Sequence, residues 1–586
     1  MLTDEQRAFS EYIPGAFVIA CPGAGKTRTI VARIKRIATT LPKRRGIAVL
    51  SFTNTAIEEF ISRCYANGLH SVLKHPGFVG TFDSFLRYFF FMPSGLDNID
   101  IRPTVVDSWK TFDVEIRLVG QNAFRGSGVG LDLFDVETNR IDPTTIQHPA
   151  LRAHVQLHQD AYQQVAERRR RALHQKGYLS AADVRVIVVQ RLQRADWSEA
   201  LGQALAARFQ EVIVDEAQDC NSLDCQIISW LRSKGVSVTV VADPDQGIFE
   251  FRNGTPGELR VLENNYDPLD RLVLTGNFRS SPSICNIAAT LRSRAEPDRS
   301  IGETAVLTNP IHVLFYPGGR VSSGIGSEFG RLMEISNILK KDGIVLAHKR
   351  INALRACGSG AEEDGGISNV SNIARAVGTF WSSSASGRAR ESALIIVERT
   401  ILDLMGKIGE SEMPSRATEQ RGIDQRWLRR NALELISKIP RTCEDTDEAR
   451  AAWITTLQEE VRRLHLTYRQ GTSERRYLVK PRKASWSHLL NFGDTPDLRS
   501  ATIHEAKGKE YDAVCVIIPP DYGGAHRTEQ LITSWENRDD YEAKRVIYVG
   551  ITRAKKMGAI AIPVAFRDRM VAILQIAQTS WEEHNL

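Results

Sequence analysis

The chain has 586 residues, 42% of them hydrophobic and 25% charged, a globular profile that excludes a disordered or fibrous chain. Its formal charge of +6 and pI near 8.8 permit a nucleic-acid partner without demanding one. No run of about 18 apolar residues is available to cross a membrane, and the polar start Met1–Gln6 does not read as a signal peptide. Eight scattered cysteines with no C-x-x-C pair indicate neither a cysteine zinc site nor a disulfide framework, so a reducing cytoplasm is expected. At about 150 residues per domain the length predicts three or four domains.

In chain order, Phe17–Ala20 and Ile47–Phe52 read as buried parallel strands, each followed by an amphipathic segment. Residues 96–176 read as mainly helical and close on the basic run Arg168–Arg171, which is expected to be a solvated helical face. Strand grammar returns at Val212–Val214 and Val236–Val241. A Gly/Ser-rich stretch at Cys357–Gly360 opens a second helical, charged region, and Ala513–Ile518 reads as a late strand. Strands separated by crossover-length helical stretches imply an α/β protein with parallel sheets. The expected organisation is two α/β cores, each interrupted by a mainly helical insertion. The first core takes residues 1–95 and 177–275, with 96–176 inserted. The second takes 276–360 and 496–586, with 361–495 inserted.

The strongest chemical signal is Ala20-Cys21-Pro22-Gly23-Ala24-Gly25-Lys26-Thr27, between a strand and a helix. Small residues let backbone N–H groups curl around phosphates, and the helix N-terminus adds positive partial charge. Lys26 would reach the β- and γ-phosphates, and the Thr27 hydroxyl would hold Mg²⁺. Ala20 stands where the general pattern has Gly. A phosphate loop needs a metal-holding carboxylate, and Val212-Ile213-Val214-Asp215-Glu216-Ala217-Gln218-Asp219 offers one at a strand end. Asp215 would anchor Mg²⁺ and Glu216 would polarise the attacking water.

Together these two motifs resemble superfamily 1A helicases of the UvrD/Rep/PcrA type, and further motifs follow in that family's order. Ser51–Ala56 resembles motif Ia, Gly80–Phe85 motif Ib, Ala242–Arg252 motif III and Leu274–Ser280 motif IV. Ala501–Glu510 matches motif V, Val546–Lys556 matches motif VI, and Ile344–Arg350 corresponds to a further strand of the second core. The resemblance implies two RecA-like motor cores (1A and 2A) with insertions 1B and 2B. It also implies ATP and Mg²⁺ as cofactors and movement 3′ to 5′ on single-stranded or tailed DNA. Gln6 matches the adenine-reading glutamine, Arg28 and Phe278 the positions that sandwich adenine, and Glu510 the ribose-contacting carboxylate. Gln246 matches the γ-phosphate sensor, and Arg279 and Arg553 would contact the γ-phosphate from the second core. Phe52, Phe82, Phe249 and Phe251 are candidate base-stacking residues, Phe251 standing where the family has a larger Trp. Thr53, Asn54, Thr81, Arg252, Thr502 and His504 would line the DNA path.

An alternative reading is a DNA-sensing ATPase subunit that regulates a partner nuclease, since short UvrD-like helicases of anti-phage defence operons such as Gabija have a similar reduced layout. About thirty residues follow motif VI, too few for a fused nuclease domain, so DNA cutting would require a separate subunit.

Overall fold

Short β-branched runs bounded by polar turns build a parallel sheet, because each is followed by a helix long enough to carry the chain back across one face. The computed structural model describes residues 2–586 apart from 14, 94, 96–102, 107, 110–113, 120–123, 125–127, 147, 249–255, 293–296, 358–368, 383–384, 386, 409–413, 445, 480–489, 491–497 and 522–526. The chain divides into two compact units, one of residues 1–318 with 502–585 and one of residues 319–501.

In the first unit, strands β1 (Phe17–Ala20), β2 (Gly46–Ser51), β3 (Phe78–Thr81), β4 (Phe209–Val214), β5 (Val238–Ala242) and β6 (Arg271–Leu274) form one sheet. Its order is β6-β1-β5-β4-β2-β3, and every neighbouring pair is parallel. β2 and β5 are buried along their whole length, as continuous apolar runs between two helical layers must be. Alternation divides the side chains between the faces. Val18, Ala20, Ile47 and Val49 pack with Phe9 of α1 (Asp4–Glu11), Ile30 and Ile34 of α2 (Lys26–Thr40) and Phe60 of α3 (Asn54–Ala66). Phe17, Ala48, Leu50, Val212 and Val214 pack on the other face with Phe82, Phe85 and with Ile227 and Leu231 of α4 (Ser222–Ser233).

A second parallel sheet in the same unit runs β8-β9-β7-β10, from β7 (Ile311–Tyr316), β8 (Tyr511–Ile517), β9 (Ala554–Pro563) and β10 (Trp581–Asn585). β10, beyond the last motif, has no counterpart among the sequence expectations. α5 (Pro282–Thr290) and α6 (Glu542–Ile551) belong to this half, and every residue from Ala543 to Ile551 is buried. In the region read as mainly helical, the helices Pro149–Leu157 and Gln159–Gln175 are joined by short strands: Glu115–Ile116 pairs antiparallel with Val129–Gly130, and Thr104–Val106 pairs parallel with Tyr178–Ser180. Of the basic run, Arg168, Arg169 and Arg171 are exposed, but Arg170 turns inward and meets Asp183 at 2.7 Å and the Asn139 side chain at 2.9 Å.

The second unit contains the strand Gly343–Ala347 and a helical body whose core gathers Val370, Ile373, Val377, Ile401, Leu435, Trp453 and Leu457. Among the described residues no helix is long and apolar enough to cross a membrane, and all eight cysteines are free thiols.

One buried ion pair fastens the helical layer to the first sheet. Arg33 and Glu211 are each 2% exposed, and their side chains meet at 2.8–3.0 Å. Arg33 also donates to the Phe9 carbonyl at 2.9 Å and to that of Tyr12, while Glu211 accepts from the Thr239 hydroxyl. Removing one member of such a pair strands the other in a low-dielectric interior. Arg33→Met is expected to cost about 3–5 kcal/mol of stability, read as a lower urea midpoint by circular dichroism; an unchanged midpoint would show that Glu211 needs no cation.

Candidate functional site

The site grows from the carboxyl ends of the first sheet's strands, where an open parallel sheet brings its loops together. After β1 the loop Cys21–Gly25 turns sharply, with Gly23 at φ +74° and Gly25 at φ +71°, conformations glycine adopts without a Cβ penalty. A Cβ on Gly23 would lie 2.5 Å from Asn277 Oδ1 and 2.6 Å from Arg279 Cβ. The loop is braced on both sides. Cys21 N–H donates to the Leu274 carbonyl at 3.1 Å, Phe278 N–H to the Gly23 carbonyl at 2.9 Å, and buried Gln6 Nε2 to the Ala24 carbonyl at 2.8 Å. Gln6 itself is fixed by a capping box with Thr3 at the start of α1. Ala20, Cys21, Pro22 and Ala24 are buried, Thr27 is half-buried and Arg28 is exposed.

β4 delivers the acidic side. Asp215 is 8% exposed; its N–H is held by the Leu50 carbonyl at 2.8 Å, and its Oδ1 accepts the Glu216 N–H at 2.9 Å. Glu216 sits in the left-handed region at φ +56°, ψ +38°, a strain of about 1–3 kcal/mol for a residue with a Cβ. That turn carries its carboxylate to 3.1 Å from Lys26 Nζ. Gln218 Nε2 donates to Glu216 from the other side, and Gln218 Oε1 accepts the Asp243 N–H at 3.1 Å.

Gln246 is the junction between the two halves of this unit. Its Nε2 donates to Asp243 Oδ2 at 2.7 Å, and its Oε1 accepts from Arg553 Nη2 at 2.9 Å. Its backbone carbonyl accepts from Lys507 Nζ at 3.2 Å, and Lys507 also reaches Asp219 at 2.6 Å. Asp243 Oδ2 further accepts the Tyr548 hydroxyl at 3.2 Å, and Arg545 Nε donates to the Gly247 carbonyl at 2.8 Å. Nearby, Arg279 donates to Glu510 at 2.8 Å and to the Thr552 carbonyl at 3.1 Å. Lys26, Glu216, Gln246, Arg279, Glu510 and Arg553, scattered over more than 500 positions of sequence, therefore belong to one linked set of contacts.

Burial sets the electrostatics. At Lys26 burial works against the ammonium, but Glu216, Asp215 and Asp243 outweigh it and hold the charge firmly on. Burial and then the neighbouring charge of Glu216 push the Asp215 carboxyl up; burial would do the same to Glu216, but Lys26 and Lys507 pull it down. Arg553 is lowered to about 9 by burial and by Arg279, so it stays charged at neutral pH while its environment favours an added anion.

The expected DNA contacts divide into three groups. Thr53, Thr81 and Thr502 are N-caps: their hydroxyls accept the N–H of Ala56 at 3.3 Å, Ser84 at 3.2 Å and Glu505 at 3.2 Å. Asn54 is exposed in the first turn of α3, and His504 meets the Ile248 carbonyl at 3.2 Å. Phe52 is half-buried and its ring stacks on Phe82 at 5.4 Å. Phe82, expected to stack on a base, is instead 0% exposed within the core of the first sheet. It supports Phe52 from below, because its turn directs the ring inward onto the sheet. Phe249, Phe251 and Arg252 lie outside the described residues.

Lys507, Asp219, Asp243, Gln218, Arg545 and Tyr548 were not singled out as site residues from the sequence. For the first four a signal existed: each lies inside a recognised motif, and closely spaced acids at a strand end require cations. Arg545 and Tyr548 sit on a helix buried on all sides, where sequence pattern does not separate a packing residue from a contact.

Residues 2–267 match the UvrD/REP helicase N-terminal domain, and residues 489–562 match the UvrD-like helicase C-terminal domain. Among curated proteins the chain is 30% identical over 103 residues to the ATP-dependent DNA helicase Rep of Buchnera aphidicola, covering 18% of this chain and 14% of that protein. It is 26% identical over 301 residues to the ATP-dependent DNA helicase UvrD1 of Mycobacterium tuberculosis, covering 47% and 37%. It is 25% identical over 287 residues to a probable DNA helicase II homolog of Mycoplasma capricolum, covering 46% and 38%. The chain thus spans well under half the length of each of these relatives.

The loop geometry makes a direct prediction. Gly23→Ala forces a side chain into a left-handed residue and against Asn277 and Arg279, so affinity for a fluorescent ATP analogue is expected to fall about tenfold or more, equivalent to about 1.4 kcal/mol. Unchanged affinity in a titration would mean that this loop does not hold phosphate.

Proposed function

Because the chain belongs to the UvrD/Rep helicase family, whose N- and C-terminal domains it matches, we propose that it is an ATP-dependent translocase and helicase acting on single-stranded or tailed DNA. The observation that carries this reading is the junction at Gln246, where one short segment bonds Arg553, Lys507 and Asp243. A nucleotide held by the Cys21–Gly25 loop would be sensed there and transmitted to the neighbouring motifs.

In this reading the loop amides and Lys26 receive the β- and γ-phosphates. Lys26 then exchanges its contact with Glu216 for phosphate, which frees the carboxylate to orient and deprotonate the attacking water. Arg279 likewise leaves Glu510, which becomes available to the ribose, and Gln6, Arg28 and Phe278 surround the base. Arg279 and Arg553 offset charge that grows in the transition state. Thr27 and Asp215 fit Mg²⁺: Asp215 is a buried carboxylate that forms no ion pair among the described residues, and Mg²⁺ is a hard cation that takes oxygen ligands. Mg²⁺ held by Thr27 and Asp215 would supply positive charge to neutralise the phosphates.

In this reading the track is the row of strand ends and caps formed by Phe52, Thr53, Asn54, Thr81, Thr502 and His504, and Phe249, Phe251 and Arg252 join it by their place in the sequence motif of Gln246. His504 reaches the Ile248 carbonyl two residues from Gln246, so a shift at the phosphate end is passed to this edge. Movement 3′ to 5′ follows from the family resemblance. The relatives named above are helicases, which favours a motor over a nuclease-regulating subunit.

Lys26→Ala is expected to abolish hydrolysis. Glu216→Gln should keep nucleotide binding but stop turnover, and near-normal phosphate release by Glu216→Gln would overturn its assignment as base. On the DNA side, binding should weaken steeply as salt rises and depend little on sequence. Phe251→Ala should lose about 1–3 kcal/mol of stacking, roughly 5- to 150-fold in DNA affinity, while basal hydrolysis survives. The check is ATPase rate against single-stranded DNA concentration, together with strand separation on a 3′-tailed duplex.

A further inference from the structure

The last strand of the chain carries a second cluster of donors that the helicase reading does not use. β10 lies at the edge of the second sheet and pairs in parallel with β7, placing His312 opposite Glu582 and Leu314 opposite His584. Residues two apart on a strand point to the same face, so His312, Glu582 and His584 share one face of this two-strand edge. Their donor atoms converge: all lie within 4.8 Å of one another. His312 Nδ1 is 3.1 Å from His584 Nε2 and 3.6 Å from Glu582 Oε2.

A shared proton explains only part of this arrangement. One imidazole N–H donated to the other ring accounts for the 3.1 Å separation, but it leaves the carboxylate at 3.6 Å, beyond hydrogen-bond range. A metal ion would engage all three donors at once. Tetrahedral bonds of about 2.0–2.2 Å place ligand atoms about 3.3–3.6 Å apart; the His312–Glu582 separation of 3.6 Å falls in that range and the His312–His584 separation of 3.1 Å lies just below it. His312 is 5% exposed and held in the sheet, whereas the Glu582 side chain is 59% exposed, so the site is open to solvent on the side of Glu582. Two imidazoles and one carboxylate form a borderline-soft set that suits Zn²⁺ better than Mg²⁺.

We propose that His312, Glu582 and His584 form a binding site for a divalent transition-metal ion, Zn²⁺ by the chemistry of its donors, which fastens the C-terminal edge strand to its neighbour. Three protein ligands leave a fourth position to water. Because two of the ligands come from the last strand, binding requires that strand to be docked, so the ion stabilises the folded state. The site is separate from the residues assigned to nucleotide and DNA.

The test uses the full chain without an affinity tag, stripped by a chelator and held in excess Mg²⁺ so that oxygen-donor sites are filled. Titration of Zn²⁺ against a chromogenic chelator is expected to show one tight equivalent, weakened about tenfold or more in His584→Ala and in Glu582→Gln. Zn²⁺ should raise the thermal midpoint of the parent and not of His584→Ala. Co²⁺ should give a visible tetrahedral absorption band that His584→Ala abolishes. Glu582→Gln changes an exposed side chain, so its loss of binding is read on a folded protein, and the metal-free thermal midpoint confirms that for each variant. Absence of a stoichiometric equivalent in the parent, or undiminished binding in both variants, overturns the proposal.

Discussion

The contact between Lys26 and Glu216 governs the charge balance on which the whole site depends. Lys26 opens α2, so its ammonium adds to the positive end of the helix dipole, and Arg279, Lys507 and Arg553 place three more cations nearby. Such a concentration of charge of one sign is costly away from water. Asp215, Glu216, Asp219, Asp243 and Glu510 offset it, each basic group meeting an acid or a carbonyl in the described contacts. Under the proposed function, a polyphosphate would add negative charge to this set, so its ion-pair partners would be exchanged.

Sheet topology makes that balance possible. Six parallel strands bring the ends of β1, β4, β5 and β6 to one edge, although these ends come from positions as distant as Ala20 and Leu274. The left-handed backbone at Glu216 is the local expense of the arrangement, and the contacts from Lys26 and Gln218 offset it. Moving Glu216 into an ordinary extended conformation would turn its carboxylate away from the loop.

Three threonine caps form a second set of local contacts. Thr53, Thr81 and Thr502 each spend a hydroxyl lone pair on a backbone N–H at a helix start. Each therefore marks the point where a strand end passes into a helical turn. The capping bond alone gives each of these threonines a structural reason to stand where it does. Phe82 is different: once buried beneath Phe52 it contributes rigidity to the edge rather than a surface.

Some of this was legible in the chain itself. The alternation of apolar runs with crossover-length helices determined the parallel α/β class, and Gly23 and Gly25 between strand and helix determined a sharp left-handed loop, because glycine adopts that backbone without a Cβ penalty. The adjacent acids Asp215 and Glu216 were legible for a local reason too, since the apolar strand β4 ends where they begin. Partnership was not legible. That Gln246 would join Arg553 and Lys507, or that Arg170 would turn inward while its neighbours faced water, depends on packing between residues hundreds of positions apart or on different helical faces. Phe82 was misread because an aromatic in a DNA-path motif has the same sequence signature whether its ring points out or in. The convergence of His312 with Glu582 and His584 was decided by tertiary structure alone: no local pattern joins them, and only the register of two parallel strands brings their donor atoms together.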